Sequence, residues 1–181
     1  MEVIATELPG VLRLRPRIFS DDRGWFTETW NEARFRQDGL PSGFVQDNQS
    51  RSRSRVLRGL HFQLQQPQGK LVRAVAGRIF DVAVDIRRSS SHFGRWVGVE
   101  LNAEFPEMLW IPPGFAHGFL VLSEFADVLY KTTNFYSAPA ERTIRWDDPT
   151  LGIAWPLAGT PIVSAKDAAG TAFEQTELPQ D

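Results

Sequence analysis

Arg58, His61 and Lys70 fall within thirteen residues, in Val56-Leu-Arg58-Gly-Leu-His61-Phe-Gln63 and Gln68-Gly-Lys70. A hydrophobic core does not gather two cations beside an imidazole unless an anion neutralises them. The set therefore offers anion binding next to an imidazole able to act as an acid or a base. On an extended strand, residues three apart point to opposite faces. Gly59 stands between Arg58 and His61 and predicts a bulge that re-aims one of them.

Other residues could join this cluster. His117 sits in Ile111-Pro-Pro-Gly-Phe-Ala-His117-Gly-Phe119, a strand entry that either aims an imidazole inward or makes a structural turn. His92, in Ser89-Ser-Ser-His92-Phe-Gly94, reads as a solvated loop residue. Tyr130 and Tyr136 are the only tyrosines. A phenol can donate a proton, and a buried one needs a partner; a core aromatic with its hydroxyl at the edge is the plainer reading. The three histidines show no His-x-His spacing, so a metal held by His61, His117 and a distant carboxylate has no ligand pattern behind it. Arg51, Arg53 and Arg55 alternate with serines and read as one solvated strand face. Asp81/Asp85 and Asp147/Asp148 could pair as glycosidase carboxylates. Strand alternation and a turn before Pro149 explain them equally well. Gly-x-Ser-x-Gly, Walker A and Gly-x-Gly-x-x-Gly signatures are absent.

The elements that must position these groups are mostly strands. Val82, Val84 and Ile86 alternate with Asp81, Ala83 and Asp85, and Trp96, Gly98 and Glu100 with Val97, Val99 and Leu101. Phe119–Leu122 and Val128–Tyr130 are short apolar runs near turn residues. The best helix signal spans Thr29 to Asp38, with Asn31 able to cap and Gly39 able to terminate. Turns recur at Gly77, Ser89–Ser91, Pro112–Gly114 and Asp147–Pro149. The pattern predicts a mainly β sandwich or jelly-roll barrel with a few short helices, able to hold a small ligand inside. At 181 residues, one domain over 1–181 is expected.

Composition narrows the partners. The chain is 42% hydrophobic and 23% charged, with a formal net charge of −2. That balance gives no general pull toward nucleic acid or an anionic membrane. There are no cysteines, which excludes disulfides and thiolate chemistry and suits a reducing cytoplasm. The first residues lack a secretion signal, and no apolar run approaches the roughly 18 residues of a membrane span. The sequon Asn48-Gln-Ser50 then reads as chance.

Read in order, the segments resemble the dTDP-4-dehydrorhamnose 3,5-epimerase family of cupin-type barrels over almost the whole chain. The resemblance is carried by Phe19-Ser-Asp-Asp-Arg23-Gly-Trp-Phe26-Thr-Glu28, Phe44-Val-Gln46-Asp-Asn48-Gln-Ser50, the Val56–Gln63 run and Gln68-Gly-Lys70-Leu-Val-Arg73. It continues in Phe80–Arg87, Trp110–Phe119, Leu129-Tyr130-Lys-Thr-Thr133, Asp147-Asp-Pro149 and Ser164-Ala-Lys166-Asp167.

The resemblance implies an isomerase that needs no cofactor or metal. It inverts carbons beside a ketone by removing a proton and returning one from the opposite face. It implies His61 as the base, Asp167 as the carboxylate that orients it, Tyr130 as the acid and Lys70 as the cation at the enolate oxygen. It assigns Arg23, Arg58 and Lys166 to the diphosphate and its surroundings, Gln46 and Asn48 to the sugar or base, Phe26 and Glu28 to thymine, and His117 and Glu141 to further substrate binding. It also implies a homodimer in which N-terminal residues help build the partner's nucleotide site. His92 departs from the family's usual small polar residue, away from these motifs. Three alternatives compete: a relative that inverts only one centre in an antibiotic-sugar pathway, a metal-dependent cupin oxygenase, and a nucleotide-sugar binding module without turnover.

Overall fold

The computed structural model describes residues 1–179. The strands, in chain order, are β1 (Glu2–Ala5), β2 (Leu12–Arg15), β3 (Ile18–Asp21), β4 (Gly24–Thr27), β5 (Gln46–Arg53), β6 (Leu57–Gln63), β7 (Lys70–Ala76), β8 (Arg78–Asp85), β9 (Trp96–Asn102), β10 (Met108–Ile111), β11 (Phe115–Val121), β12 (Phe125–Thr132) and β13 (Glu141–Thr143). Two short helices, α1 (Glu32–Gln37) and α2 (Ala165–Ala168), complete the frame. One sheet runs β1-β2-β10-β7-β12-β5 and the other β13-β6-β11-β8-β9. β3 and β4 pair only with each other, as a separate hairpin.

Period-two alternation decides which side chains meet between the sheets. Val72 and Ala74 of β7, Ala126 and Val128 of β12, Ile79 and Ala83 of β8, and Phe115, Phe119 and Val121 of β11 form the inter-sheet core. The alternate residues face outward. Val82, Val84, Leu57, Leu60 and Phe62 lie under Leu151, Trp155, Phe173 and Leu178 of the C-terminal segment. Leu71, Met108 and Trp110 lie under Phe35, Leu40, Trp30 and Phe44. Each side chain fully buried in such a cluster contributes roughly 1.5–3 kcal/mol. The expected mainly β barrel is therefore covered on both outer faces.

The predicted bulge is present. His117 pairs with His61 and Phe119 with Arg58, so two steps on β11 oppose three on β6. Leu57 and Leu60, three apart, consequently share the outer face, and Arg58 and His61 share the inner one. Gly59 has φ of 121°, and a Cβ there would lie 2.5 Å from Gly118 Cα and 2.8 Å from the His117 carbonyl oxygen. Only glycine fits that backbone and that approach.

Two local expectations need correction. The helix starts at Glu32, not Thr29, because Asn31 caps it: Asn31 Oδ1 accepts from the Arg34 amide at 3.2 Å. Gly39, at φ of 70°, ends it as expected. The arginine row is also shorter than predicted. Arg51 and Arg53 lie exposed on β5, but Arg55 falls in the following turn at φ of 62°. Arg51 forms a two-pronged bond to Asp127 at 2.8 and 2.7 Å.

The C-terminal segment is stitched to the second sheet at two points. The Leu57 amide donates to the Ile162 carbonyl at 2.9 Å, and the Ile162 amide to the Arg55 carbonyl at 2.8 Å. Further on, the Thr171 amide donates to the Thr143 carbonyl and the Arg145 amide to the Thr171 carbonyl, both at 3.0 Å. Helix α2 hangs between these stitches.

Candidate active site

Between the sheets lies a cavity of about 240 Å³ whose lining includes Gln46, Asn48, His61, Lys70, Tyr130 and Glu141. Larger hollows occur beside Phe93 and Phe173 (about 580 Å³) and beside Ile18 and Phe105 (about 470 Å³). Neither combines a histidine, a lysine and a tyrosine, so chemistry rather than size selects the smaller one.

His61 projects from the inner face of β6. Lys70 and Tyr130 project from β7 and β12 of the facing sheet, in step with the inward Val72 and Val128. The imidazole thus occupies one wall of the cavity, and the ammonium and phenol occupy the other.

His61 Nε2 meets Asp167 Oδ1 at 2.5 Å. The histidine side chain is 25% exposed and the carboxylate 3%. Ser164 Oγ donates to the other carboxylate oxygen, Oδ2, at 2.9 Å. Burial pushes the Asp167 pKa up, but bonds from His61 and Ser164 and the nearby Lys166 outweigh it and hold the carboxyl below its ordinary range. A charged carboxylate then faces Nε2, which leaves Nδ1 with the lone pair.

Lys70 is buried, and its Nζ donates to the His61 carbonyl at 3.5 Å. Burial pushes its pKa down to about 8, with Asp81 and Glu141 pulling the other way. The ammonium form still predominates at neutral pH. Tyr130 is raised by burial and partly offset by Arg58, so its phenol keeps its proton. Its hydroxyl makes no hydrogen bond to another described residue, which leaves it free for a ligand.

His117 lies behind the cavity wall. Its Nε2 approaches both oxygens of Asp81, at 3.0 and 3.1 Å, and Asp81 is 0% exposed. Burial lowers the His117 pKa despite Asp81, so the imidazole is neutral near pH 7. Each inward histidine therefore has its own carboxylate. Among the described residues no three His, Asp or Glu side chains converge as metal ligands.

The rim carries several remaining expected groups. Arg58 Nε donates to Ser52 Oγ of the opposite sheet at 3.0 Å. Gln46 Nε2 donates to Asn48 Oδ1 at 2.8 Å. Lys166 Nζ pairs with Glu141 Oε1 at 2.8 Å, and Tyr136 Oη donates to Glu141 Oε2 at 2.9 Å. Burial raises the Glu141 pKa, but these two partners outweigh it and keep the carboxyl low. Arg23, Phe26 and Glu28 do not line the cavity. Arg23 is tied to Asp21 at the hairpin tip, Phe26 is 67% exposed, and Glu28 pairs with Arg34 at 2.9 Å.

Sequence reasoning overlooked the roles of five residues. Asp81 and Asp85 look like ordinary alternation, yet both are fully buried; Asp81 serves His117, and Asp85 holds Arg87 and Ser90. The signal was an acid in register with inward Ile79 and Ala83. Gln63 Oε1 accepts from the Ser137 amide at 2.8 Å and steadies the loop that carries Tyr136. Tyr136 itself reaches the cavity rim. Ser52 is buried and aims Arg58. His92 lies in a loop, as expected, beside Ser91.

Comparison with known proteins agrees with this architecture. A family model described as dTDP-4-dehydrorhamnose 3,5-epimerase matches residues 5–175. A dTDP-4-dehydrorhamnose 3,5-epimerase of Pseudomonas aeruginosa is 53% identical over 178 residues, covering 98% of each chain. The crystal structure of a dTDP-6-deoxy-D-glucose-3,5-epimerase from Legionella pneumophila, in complex with dTDP-4-keto-L-rhamnose, superposes with a TM-score of 0.96 at 47% identity. It covers 99% of this chain and 98% of that one. A 3'-monoepimerase from Streptomyces bikiniensis shares the fold at 32% identity, with a TM-score of 0.91 and coverage of 98% and 92%. With matched motifs, a shared barrel and these identities together, the chain belongs to the dTDP-4-dehydrorhamnose 3,5-epimerase family.

Proposed function

We propose that His61, Asp167, Lys70 and Tyr130 carry out the family's reaction between the two sheets, in a cytoplasmic homodimer. That reaction inverts C3 and C5 of dTDP-4-dehydro-6-deoxy-D-glucose to give dTDP-4-dehydro-L-rhamnose. The observation that carries the reading is the placement of His61 and Tyr130 on opposite walls of one cavity. Inversion beside a ketone needs a base on one face of the sugar and an acid on the other.

The C4 ketone acidifies the protons on both C3 and C5. His61 Nδ1 takes one of them, and Asp167 steadies the imidazolium through Nε2. The electron pair moves onto the C4 oxygen, where the Lys70 ammonium holds the enolate. A preorganised donor at such an oxygen is worth roughly 3–4 kcal/mol. Tyr130 returns a proton from the far face, and solvent restores both groups before the second centre reacts.

A cavity of about 240 Å³ is smaller than the roughly 300–1,000 Å³ of sites that enclose a whole ligand. It suits the sugar alone, with the nucleotide along the rim. Arg58 and Lys166 then meet the diphosphate, and Gln46, Asn48 and Glu141 offer hydrogen bonds. His117 braces the sugar wall. The hairpin bearing Arg23, Phe26 and Glu28 exposes Ile18, Phe19, Trp25 and Phe26 together. An apolar patch of this kind marks an interaction surface, and a second copy receiving it would bring those residues to a partner's rim. Sedimentation as a monomer, or recovery outside the cytoplasmic fraction, would remove that part of the proposal.

Turnover in deuterium oxide tests the reaction, using the dTDP-4-keto sugar and trapping the product with a hydride-donating reductase. Label is expected at both C3 and C5. Label at one carbon would instead assign a single-centre epimerase. The higher identity to 3,5-epimerases than to the monoepimerase favours both.

The pH dependence of kcat/KM should report Lys70. Raising the pH through about 8 removes its proton, and with it the charge at the enolate oxygen. Activity should therefore fall on the alkaline side with a midpoint near that value. Lys70→Met should lose roughly 100- to 1,000-fold at pH 7 and show no alkaline limb there. An unchanged alkaline limb in that variant would assign it to another group.

A further inference from the structure

We propose that Ser164 is a positioning residue for proton abstraction, acting through Asp167; the inference rests on the base role of His61 proposed above. Ser164 Oγ donates to Asp167 Oδ2 at 2.9 Å and accepts from the Asp167 amide at 3.0 Å. The Asp167 carboxylate is held at both ends, by Ser164 on Oδ2 and by His61 on Oδ1. A carboxylate on a free Cα–Cβ bond samples several rotamers. The serine selects the one that directs Oδ1 at the imidazole.

The backbone explains why a local bond has this reach. Ile162, two residues before Ser164, is tied to Arg55 and Leu57 at the start of β6, the strand that carries His61. Ser164 is also the N-cap of α2. One hydroxyl thus links the β6 stitch, the start of the helix and the catalytic pair. Alignment of a catalytic group matters steeply, because a misplacement of about 1 Å can cost on the order of 100-fold.

Ser164→Ala would also weaken the cap, so a merely structural role needs to be separated. Glycine is nearly as good a cap as serine but cannot bond Asp167, whereas threonine keeps both functions. We expect kcat to fall roughly 10- to 100-fold in Ser164→Ala and Ser164→Gly with KM nearly unchanged, and Ser164→Thr to restore most of it. In an Asp167→Asn background, Ser164→Gly should cost little more, because the group it aligns is already altered. Unchanged kcat in both Ser164→Ala and Ser164→Gly would overturn the inference, as would a full additional loss in the Asp167→Asn background. If Asp167→Asn alone is fully active, the pairing behind the base assignment fails instead, and the inference falls with it.

Discussion

His61→Ala should reduce turnover by roughly 1,000-fold or more, the upper part of the range for removing a general base. Deuterium should enter neither C3 nor C5, because no other free imidazole lines the cavity: His117 is buried and held by Asp81. Binding of dTDP, measured by calorimetry, should change little, because the nucleotide is assigned to rim groups that the substitution leaves in place. The folded state should survive, since Ser164 still satisfies one oxygen of Asp167 and the cavity admits water to the other. Full activity in this variant would remove His61 as the base. Lost dTDP binding would show that the residue supports the site rather than the chemistry.

Tyr130→Phe should separate two events that His61→Ala abolishes together. The base remains, so proton removal and enolate formation continue. The far-face acid is gone, so the enolate recovers its proton from His61 on the face it left. Solvent deuterium should therefore wash into the substrate with its configuration retained, while inverted product falls by roughly 100- to 10,000-fold. His61 is partly exposed, so its abstracted proton can exchange with water before it is returned. The phenol makes no hydrogen bond to a described residue, and phenylalanine keeps the ring that packs against the inter-sheet core. Stability should change by less than about 1 kcal/mol. Equal loss of exchange and inversion would argue that Tyr130 aligns the substrate; undiminished inversion would remove the acid role.

Much of this site was legible because its chemistry is local in the chain. Arg58, Gly59 and His61 predicted a bulge from spacing alone, and the register shift between β6 and β11 has that form. Alternation in β8 and β9 and short apolar runs in β11 and β12 predicted strands, and strands form there. Alternation failed to separate Asp81 from a solvated acid, because period two says that a face is shared, not what lies opposite it. Only β11, arriving with His117, makes Asp81 a partner. The arginine row misled for a similar reason: the turn at Arg55 interrupts the strand where side-chain type gave no warning.

The sequence by itself determined the cation-rich run, the glycine bulge, the mainly β character and, through its ordered motifs, the family. Each depends on residue type and short spacing, which a linear chain displays directly. Tertiary structure decided the long-range relations. His61 and Asp167 are 106 positions apart and meet at 2.5 Å because the Ile162 and Thr171 stitches bring α2 back onto the second sheet. Lys70 and Tyr130 face the imidazole because their strands sit adjacent in the other sheet. Burial between the sheets then lowers the lysine and raises the tyrosine, a consequence of removing both from water that the order of residues does not reveal.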